Sequence, residues 1–411
     1  MLKETDIPLS SQQYNVVTDA TLQPLEIKNA FHNFQQIKSE FDSGIAIDAY
    51  TQKLKYTDPK RAPKDDYPTP TETTVPCIIV GSGITLDKAG PLLKDWDYPI
   101  ITSSSHATTL AYYGHDPEMI FVLDPKTRKA ELEPVPPLYW ERSDSNIVVH
   151  PGLYPELINA WPAEWGKMYF REVNPAKEFY YKTLAIAYDF ITTFMFLFSS
   201  ATSGQVGLAH MLGYNPLFLV GCEFGAPGLK DRFTRYFYEG GDWRAEQPPD
   251  PPKSQLVESI YGVPTYPILI HYRRALAAVW RCDMPQLIQT SNIGNFRECP
   301  YVPIEEIVEC QGMGLESVYW TKDHIKEISD RLMAHGKMFA VPLARRPDGK
   351  EALRFLELDS GPDCIQKMER YLDALEQLVQ KNPPEDAELI FDKAKSMDYI
   401  KRLYKEVGGA L

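Results

Sequence analysis

The chain has 411 residues, 44% of them hydrophobic and 24% charged, with a formal net charge of -13. A length beyond about 250–300 residues favours two or three packed units over one core, and the composition excludes a disordered chain. The surplus of acid argues against a broad nucleic-acid or anionic-membrane surface, which works by setting Lys and Arg against phosphates.

The first residues, Met1 to Asp6, lack the apolar core of a signal peptide. From Pro24 to about Asp42, the residues Leu25, Ile27, Phe31, Phe34, Ile37 and Phe41 share one face of a predicted helix. The polar stretch Tyr67–Thr74, with its prolines, reads as a linker closing an N-terminal segment of residues 1–74.

Short apolar runs then alternate with helical stretches. Val75–Val80 is a strand by its β-branched content, Leu86–Trp96 a helix interrupted near Pro91, Tyr98–Thr102 a second strand, His106–Tyr113 a helix and Met119–Leu123 a third strand. Further strands are predicted at Asn146–Val149, Lys167–Phe170 and Phe194–Phe198. A small-residue turn at Ser203–Gly204, a helix over Gln205–Leu212 and a strand at Pro216–Val220 come next. This alternation predicts an α/β fold, a Rossmann-like and mostly parallel sheet flanked by helices over residues 75–316, with its active face at the carboxyl ends of the strands. The longest apolar run, Phe190–Phe198, is about half the length a membrane helix needs, so a soluble, cytoplasmic protein with no membrane contact is expected.

Residues 225–266 are rich in Gly, Pro, Arg and aromatics and are expected to form a flap over the site, a solvated insertion being the alternative. A helix over Leu269–Cys282 and a strand at Gln286–Thr290 follow. Residues 317–411 read as a helical C-terminal region, whose stripes at Ile365–Leu378 and Ala387–Val407 suit packing or a homodimer interface. The six cysteines, at 77, 222, 282, 299, 310 and 364, form no CxxC pair, so neither a disulfide framework nor a structural metal is indicated.

Four features at strand ends carry candidate chemistry. Gly81, Ser82, Gly83 and Thr85 lie between a strand and a helix, where backbone N–H groups and hydroxyls can meet a phosphate; a structural tight turn is the plain alternative. Asp124, before Pro125, is a candidate catalytic carboxylate and Mg²⁺ ligand, or a turn former. Ser203 and Gly204 in the segment Thr202–Gly207, with Glu223 after the next strand, supply a second small-residue turn and a second acid. Thr290 and Ser291 add hydroxyls after the strand at Gln286. Among histidines, His106 and His150 stand at strand ends as candidate bases or phosphate donors.

Taken in order, Cys77–Leu86, Pro117–Pro125, Thr202–Gly207 with Leu219–Glu223, and Gln289–Gly294 give the chain a family resemblance. It resembles the 6-hydroxymethylpterin diphosphokinase MptE-like family (DUF115), which includes the motility-associated factor glycosyltransferases and is distantly similar to bacterial sialyltransferases. The resemblance spans roughly residues 75–310 and implies a nucleotide-binding Rossmann-like domain, often with Mg²⁺. It implies that Gly81, Ser82, Gly83 and Thr85 lie near phosphates and Asp124 near the metal or donor. Many members carry Pro-Ser at the positions of Ile84-Thr85 and Gln-Asp at those of Cys222-Glu223, so the hydroxyl and the carboxylate persist while the pocket's shape differs.

The expected function is a transferase using a nucleotide or nucleotide-sugar donor, a glycosyltransferase with a glycan, protein or nucleic-acid acceptor. The alternatives are a Mg²⁺-dependent pyrophosphokinase and a non-catalytic nucleotide-binding interaction module, the last predicting no loss of activity on Asp124→Ala.

Overall fold

The computed structural model describes residues 2–4, 12–49, 75–127, 145–161, 166–172, 186–195, 197, 200–225, 238–239, 242–243, 256–279, 286–312, 344–345, 348–356, 358, 360–381 and 393–409. The expected linker at 67–74, and the arginine-rich part of the expected flap, lie outside these residues.

The scaffold is a sheet of eight strands: β1 (Ala46–Asp48), β2 (Val75–Val80), β3 (Ile100–Ser103), β4 (Met119–Phe121), β5 (Asn146–Val149), β6 (Lys167–Tyr169), β7 (Tyr214–Val220) and β8 (Leu287–Gln289). Their order across the sheet is β8-β7-β2-β3-β4-β5-β6-β1, and every pairing is parallel. A parallel sheet is covered on both faces, so its strands read as continuous apolar runs. Val75–Val80 fits that rule, with every residue after Val75 buried. Because side chains alternate, Cys77 and Ile79 join one core with Phe121 and Phe170, whereas Ile78 and Val80 join another with Leu93, Trp96 and Phe218.

The helices are α1 (Gln12–Asp42), α2 (Leu86–Ala89), α3 (Ser104–Tyr112), α4 (Pro155–Ala160), α5 (Ala201–Leu212), α6 (Pro267–Val279), α7 (Ile304–Glu309), α8 (Gly349–Phe355), α9 (Cys364–Lys381) and α10 (Lys393–Glu406). After α2 the chain tightens into a 3-10 turn over Gly90–Asp95, with Pro91 at its second position, which accounts for the interruption expected there. Gly213, at φ 89°, ends α5 in the left-handed conformation and sends the chain directly into β7.

The sequence reading needs two corrections. The boundary at residue 74 does not separate the N-terminal segment from the sheet. Ala46–Asp48 is the sheet's edge strand beside β6, and α1 is tied on by Asn29 and Asn33, which donate to carbonyls of Pro151, Gly152 and Leu153. The turn expected at Ser203–Gly204 is instead the first turn of α5. A Cβ on Gly204 would stand 2.4 Å from the Phe121 ring, so this glycine lets the helix pack closely on the sheet. Helices α8, α9 and α10 build a separate core with Ile186, and Phe31 of α1 packs on it. Among the described residues, no helix is long and apolar enough to cross a membrane.

Candidate active site

Chain order places β3 on one side of β2 and β7 on the other, so the sheet's direction of growth reverses between β2 and β7. Open parallel sheets leave a crevice at such a point, beyond the carboxyl ends of the strands. Here the exits of both strands are rich in glycine. Gly81 N–H donates to Val220 O (2.8 Å) and Gly83 N–H to Gly221 O (2.7 Å), which carries the pairing past the strands. A Cβ on Gly81 would lie 2.5 Å from Gly221 O, and Gly221 itself stands at φ 67°, so neither position tolerates a side chain without a shift.

This close approach changes the role expected of the first turn. Two of its N–H groups are committed to β7 and are not offered to a phosphate. The Ser82 hydroxyl remains at the crevice, and the other donors come from elsewhere. A cavity of about 340 Å³ opens there, with Ser82, Ser103, Ser105 and His106 on one side and Ser200, Thr202 and Gln205 on another. Ser103 is the N-cap of α3 and Ser200 that of α5, and neither side chain makes a capping bond. The first-turn N–H groups of both helices lack intrahelical acceptors and carry the positive end of the helix dipole, which is the chemistry of an anion site. Gln205 braces the arrangement: in the amide orientation that satisfies both partners it donates to Val80 O (3.2 Å) and accepts from Ser103 N–H (2.8 Å).

The remaining wall is apolar and aromatic. It is formed by Phe224, Leu256, Tyr266, Ile268, Leu269 and Tyr272, most of them from the start of α6 and the segment before it. None of these was singled out in the sequence. Pro267 at the first position of α6 was the available signal, since proline is favoured where a helix begins.

Glu223 is the acid of the cavity. It is buried, and Thr85 Oγ1 donates to its Oε1. Its Oε2 is buried with no hydrogen-bond partner among the described residues. A Cβ on Gly83 would fall 1.4 Å from that oxygen, so the carboxyl occupies the space that a side chain at 83 would take. Desolvation raises the Glu223 pKa from 4.5 to about 7, against the Thr85 hydroxyl and a backbone bond that lower it. Burial has the opposite effect on the base His106, lowering its pKa to about 3, so the imidazole is neutral at physiological pH and is no cation for a phosphate. Next to Glu223, burial raises the Cys222 thiol, so no thiolate is available.

Other expected site residues are placed away from the cavity. Asp124 is exposed and accepts from Lys126 N–H (2.9 Å) across its own turn, the turn-former role of Asp-Pro. His150 is buried; its Nδ1 accepts from Gly152 N–H (3.2 Å), so Nε2 carries the proton toward Leu123 O (3.0 Å), clipping two strand exits together. Thr290 Oγ1 donates to Leu219 O (2.8 Å), and Ser291 Oγ accepts from Ile293 N–H (3.3 Å). Ser203 and Gly204 face the core beneath α5. Of the expected residues, Gly81, Ser82, Gly83, Glu223 and His106 line the cavity, and Thr85 reaches it through Glu223.

No group of three or more His, Cys, Asp or Glu among the described residues could hold a metal ion by itself. Mg²⁺ commonly uses one or two carboxylates together with substrate phosphates, and Glu223, whose buried Oε2 has no hydrogen-bond partner among the described residues, is the carboxylate the cavity supplies.

The sheet order and the crevice at its switch point define a Rossmann-like α/β protein. Residues 49–228 match the family described as 6-hydroxymethylpterin diphosphokinase MptE-like. Among solved structures the chain is similar to a MAf glycosyltransferase from Magnetospirillum magneticum AMB-1, at 14% identity and a TM-score of 0.43, over 88% of this chain and 50% of that one. The chain therefore spans half the length of that structure. No curated protein compared with the chain matches it.

Proposed function

We propose that the chain is a transferase that takes a nucleotide-activated donor in the cavity between β2 and β7, and that the group transferred is a sugar. The observation that carries this reading is Glu223, a buried carboxyl with a pKa of about 7 and an unpartnered oxygen, in the same cavity as two uncapped helix N-termini. A base of that strength can take the proton of an acceptor hydroxyl near neutral pH. The N-termini of α3 and α5, with the hydroxyls of Ser82, Ser105 and Thr202, suit the donor phosphate, whose negative charge grows as the glycosyl bond breaks. The wall of Phe224, Tyr266 and Tyr272 suits the face of a base.

A second reading, Mg²⁺-dependent pyrophosphoryl transfer, is favoured by one observation. No Lys or Arg lines the cavity among the described residues, so a metal on Glu223 would be the counter-charge to a triphosphate. The metal would supply charge neutralisation at the transferring phosphorus. The family description, which names a diphosphokinase, is in line with it.

A thermal-shift screen against CMP, UDP, GDP and ATP, each with and without Mg²⁺, separates the two readings, because a ligand bound only to the folded state raises its stability. Stabilisation by CMP, UDP or GDP that does not need Mg²⁺ is the expected result. Stabilisation by ATP alone, dependent on Mg²⁺ and lost in Glu223→Gln, supports the second reading. Indifference to all four removes the basis for both.

A further inference from the structure

The aromatic wall of the cavity is held by residues from the far beginning of the chain. Leu2 and Lys3 pair in parallel with Val257 and Glu258, which pair antiparallel with Thr265 and Pro264. Leu256, Pro264 and Thr265 line the cavity. Leu2 and Lys3 are thus the outer strand of a small sheet whose inner edge forms the site wall, and Glu4 follows directly.

Glu4 secures that strand. Its side chain is 2% exposed and accepts from Ile260 N–H (2.9 Å), from Arg274 Nε (3.0 Å) and from Arg273 Nη2. Arg274 Nη2 also donates to the Glu4 carbonyl (3.1 Å). Arg273 is in turn paired with Glu298 (3.2 Å) and donates to Asn295 O (3.3 Å). Glu4, Glu298, Arg273 and Arg274 are all buried, and their charges cancel as a quartet. Buried charges are tolerated when every member is paired, and removing one leaves the others uncompensated.

The network ends at the catalytic loop. Asn295 N–H donates to Glu223 O (2.7 Å), and Asn295 Nδ2 donates to Phe224 O (2.9 Å). Thr265 Oγ1, from the small sheet, donates to the same Phe224 carbonyl (2.7 Å). Two routes therefore lead from Glu4 to the segment that carries Glu223, one through Arg273 and Asn295 and one through the strand at Pro264–Thr265.

We propose that Glu4 is a positioning residue for donor binding: with residues 2–4 docked, the wall at 256–266 and the Glu223–Phe224 loop take the geometry that accepts the nucleotide. This rests on the donor cavity assigned above. Glu4 does not touch the donor; it acts through Arg273, Arg274 and the small sheet.

The test compares the full chain with Glu4→Gln, which keeps the shape and removes the charge. Glu4→Asp, which keeps the charge and shortens the reach, serves if Glu4→Gln does not fold. Two quantities are measured: amide hydrogen exchange without ligand, and the Kd of whichever of CMP, UDP, GDP and ATP stabilises the wild type most. The expected result is exchange faster by about tenfold or more at residues 257–263 and 265, with residues 147–149 unchanged, because local opening exposes only the unlatched unit. The nucleotide Kd is expected to rise about tenfold, since a wall that must be ordered on binding weakens affinity. Unchanged exchange at the wall overturns the proposal, as does acceleration that includes residues 147–149, or an unaltered Kd. If the wild type binds none of the nucleotides, the proposed function fails instead, and the exchange comparison still decides whether Glu4 holds the wall.

Discussion

Replacing Glu223 by glutamine should stabilise the protein at alkaline pH and change little in acid. Desolvation raises the pKa of this buried carboxyl from 4.5 to about 7. Between those values the folded chain keeps a proton that the unfolded chain has released, so the stability linked to Glu223 is present at the acid end and falls as pH rises. At about 1.4 kcal/mol for each tenfold change in proton affinity, the loss amounts to about 3 kcal/mol once the pH exceeds the folded value. Glutamine keeps an oxygen to accept from Thr85 and cannot ionise, so it escapes that loss. Urea denaturation of both proteins should give a difference close to zero at about pH 4 that grows to about 3 kcal/mol at about pH 8. Parallel stability curves for the two proteins across this range would refute the desolvated carboxyl.

Three further substitutions sort binding from packing. Gly83→Ala puts a Cβ where Glu223 Oε2 now lies, 1.4 Å away; it should abolish nucleotide-induced stabilisation in the thermal-shift assay while the chain still folds. Gly204→Ala sets a methyl 2.4 Å from the Phe121 ring; by overpacking it should cost about 1–3 kcal/mol in urea denaturation, with the nucleotide Kd unaltered by isothermal titration. Asp124→Ala removes an exposed turn acceptor; a change within about 1 kcal/mol in denaturation is expected, with no change in the Mg²⁺ dependence of activity.

The parts of this fold that were legible in the sequence are those with a local cause. Val75–Val80 reads as a buried strand because its apolar run has no polar face to present, and the structure places the strand there. Pro91 marks where the α2 helix tightens, and the βα alternation predicts the parallel sheet. Ala46–Asp48 has too short a signal to be found, being a three-residue edge strand whose partner lies more than a hundred residues away. Gly204 and Gly83 are both small residues near strand ends, yet one faces an aromatic ring and the other a carboxylate, a difference set by the packing of distant segments. Asp124 and Glu223 both follow strands, and only pairing order decides which opens onto the switch point. The ion quartet around Glu4 joins residues 269 and 270 positions apart, which no local pattern reveals.

The most direct test of the account is to separate binding from turnover in Glu223→Gln with the nucleotide donor that the screen selects. The expected result is a donor Kd within about threefold of wild type and turnover lower by about a hundredfold or more, the usual range for loss of a general base. Wild-type turnover by Glu223→Gln would contradict it, and would remove Glu223 from the chemistry of the cavity.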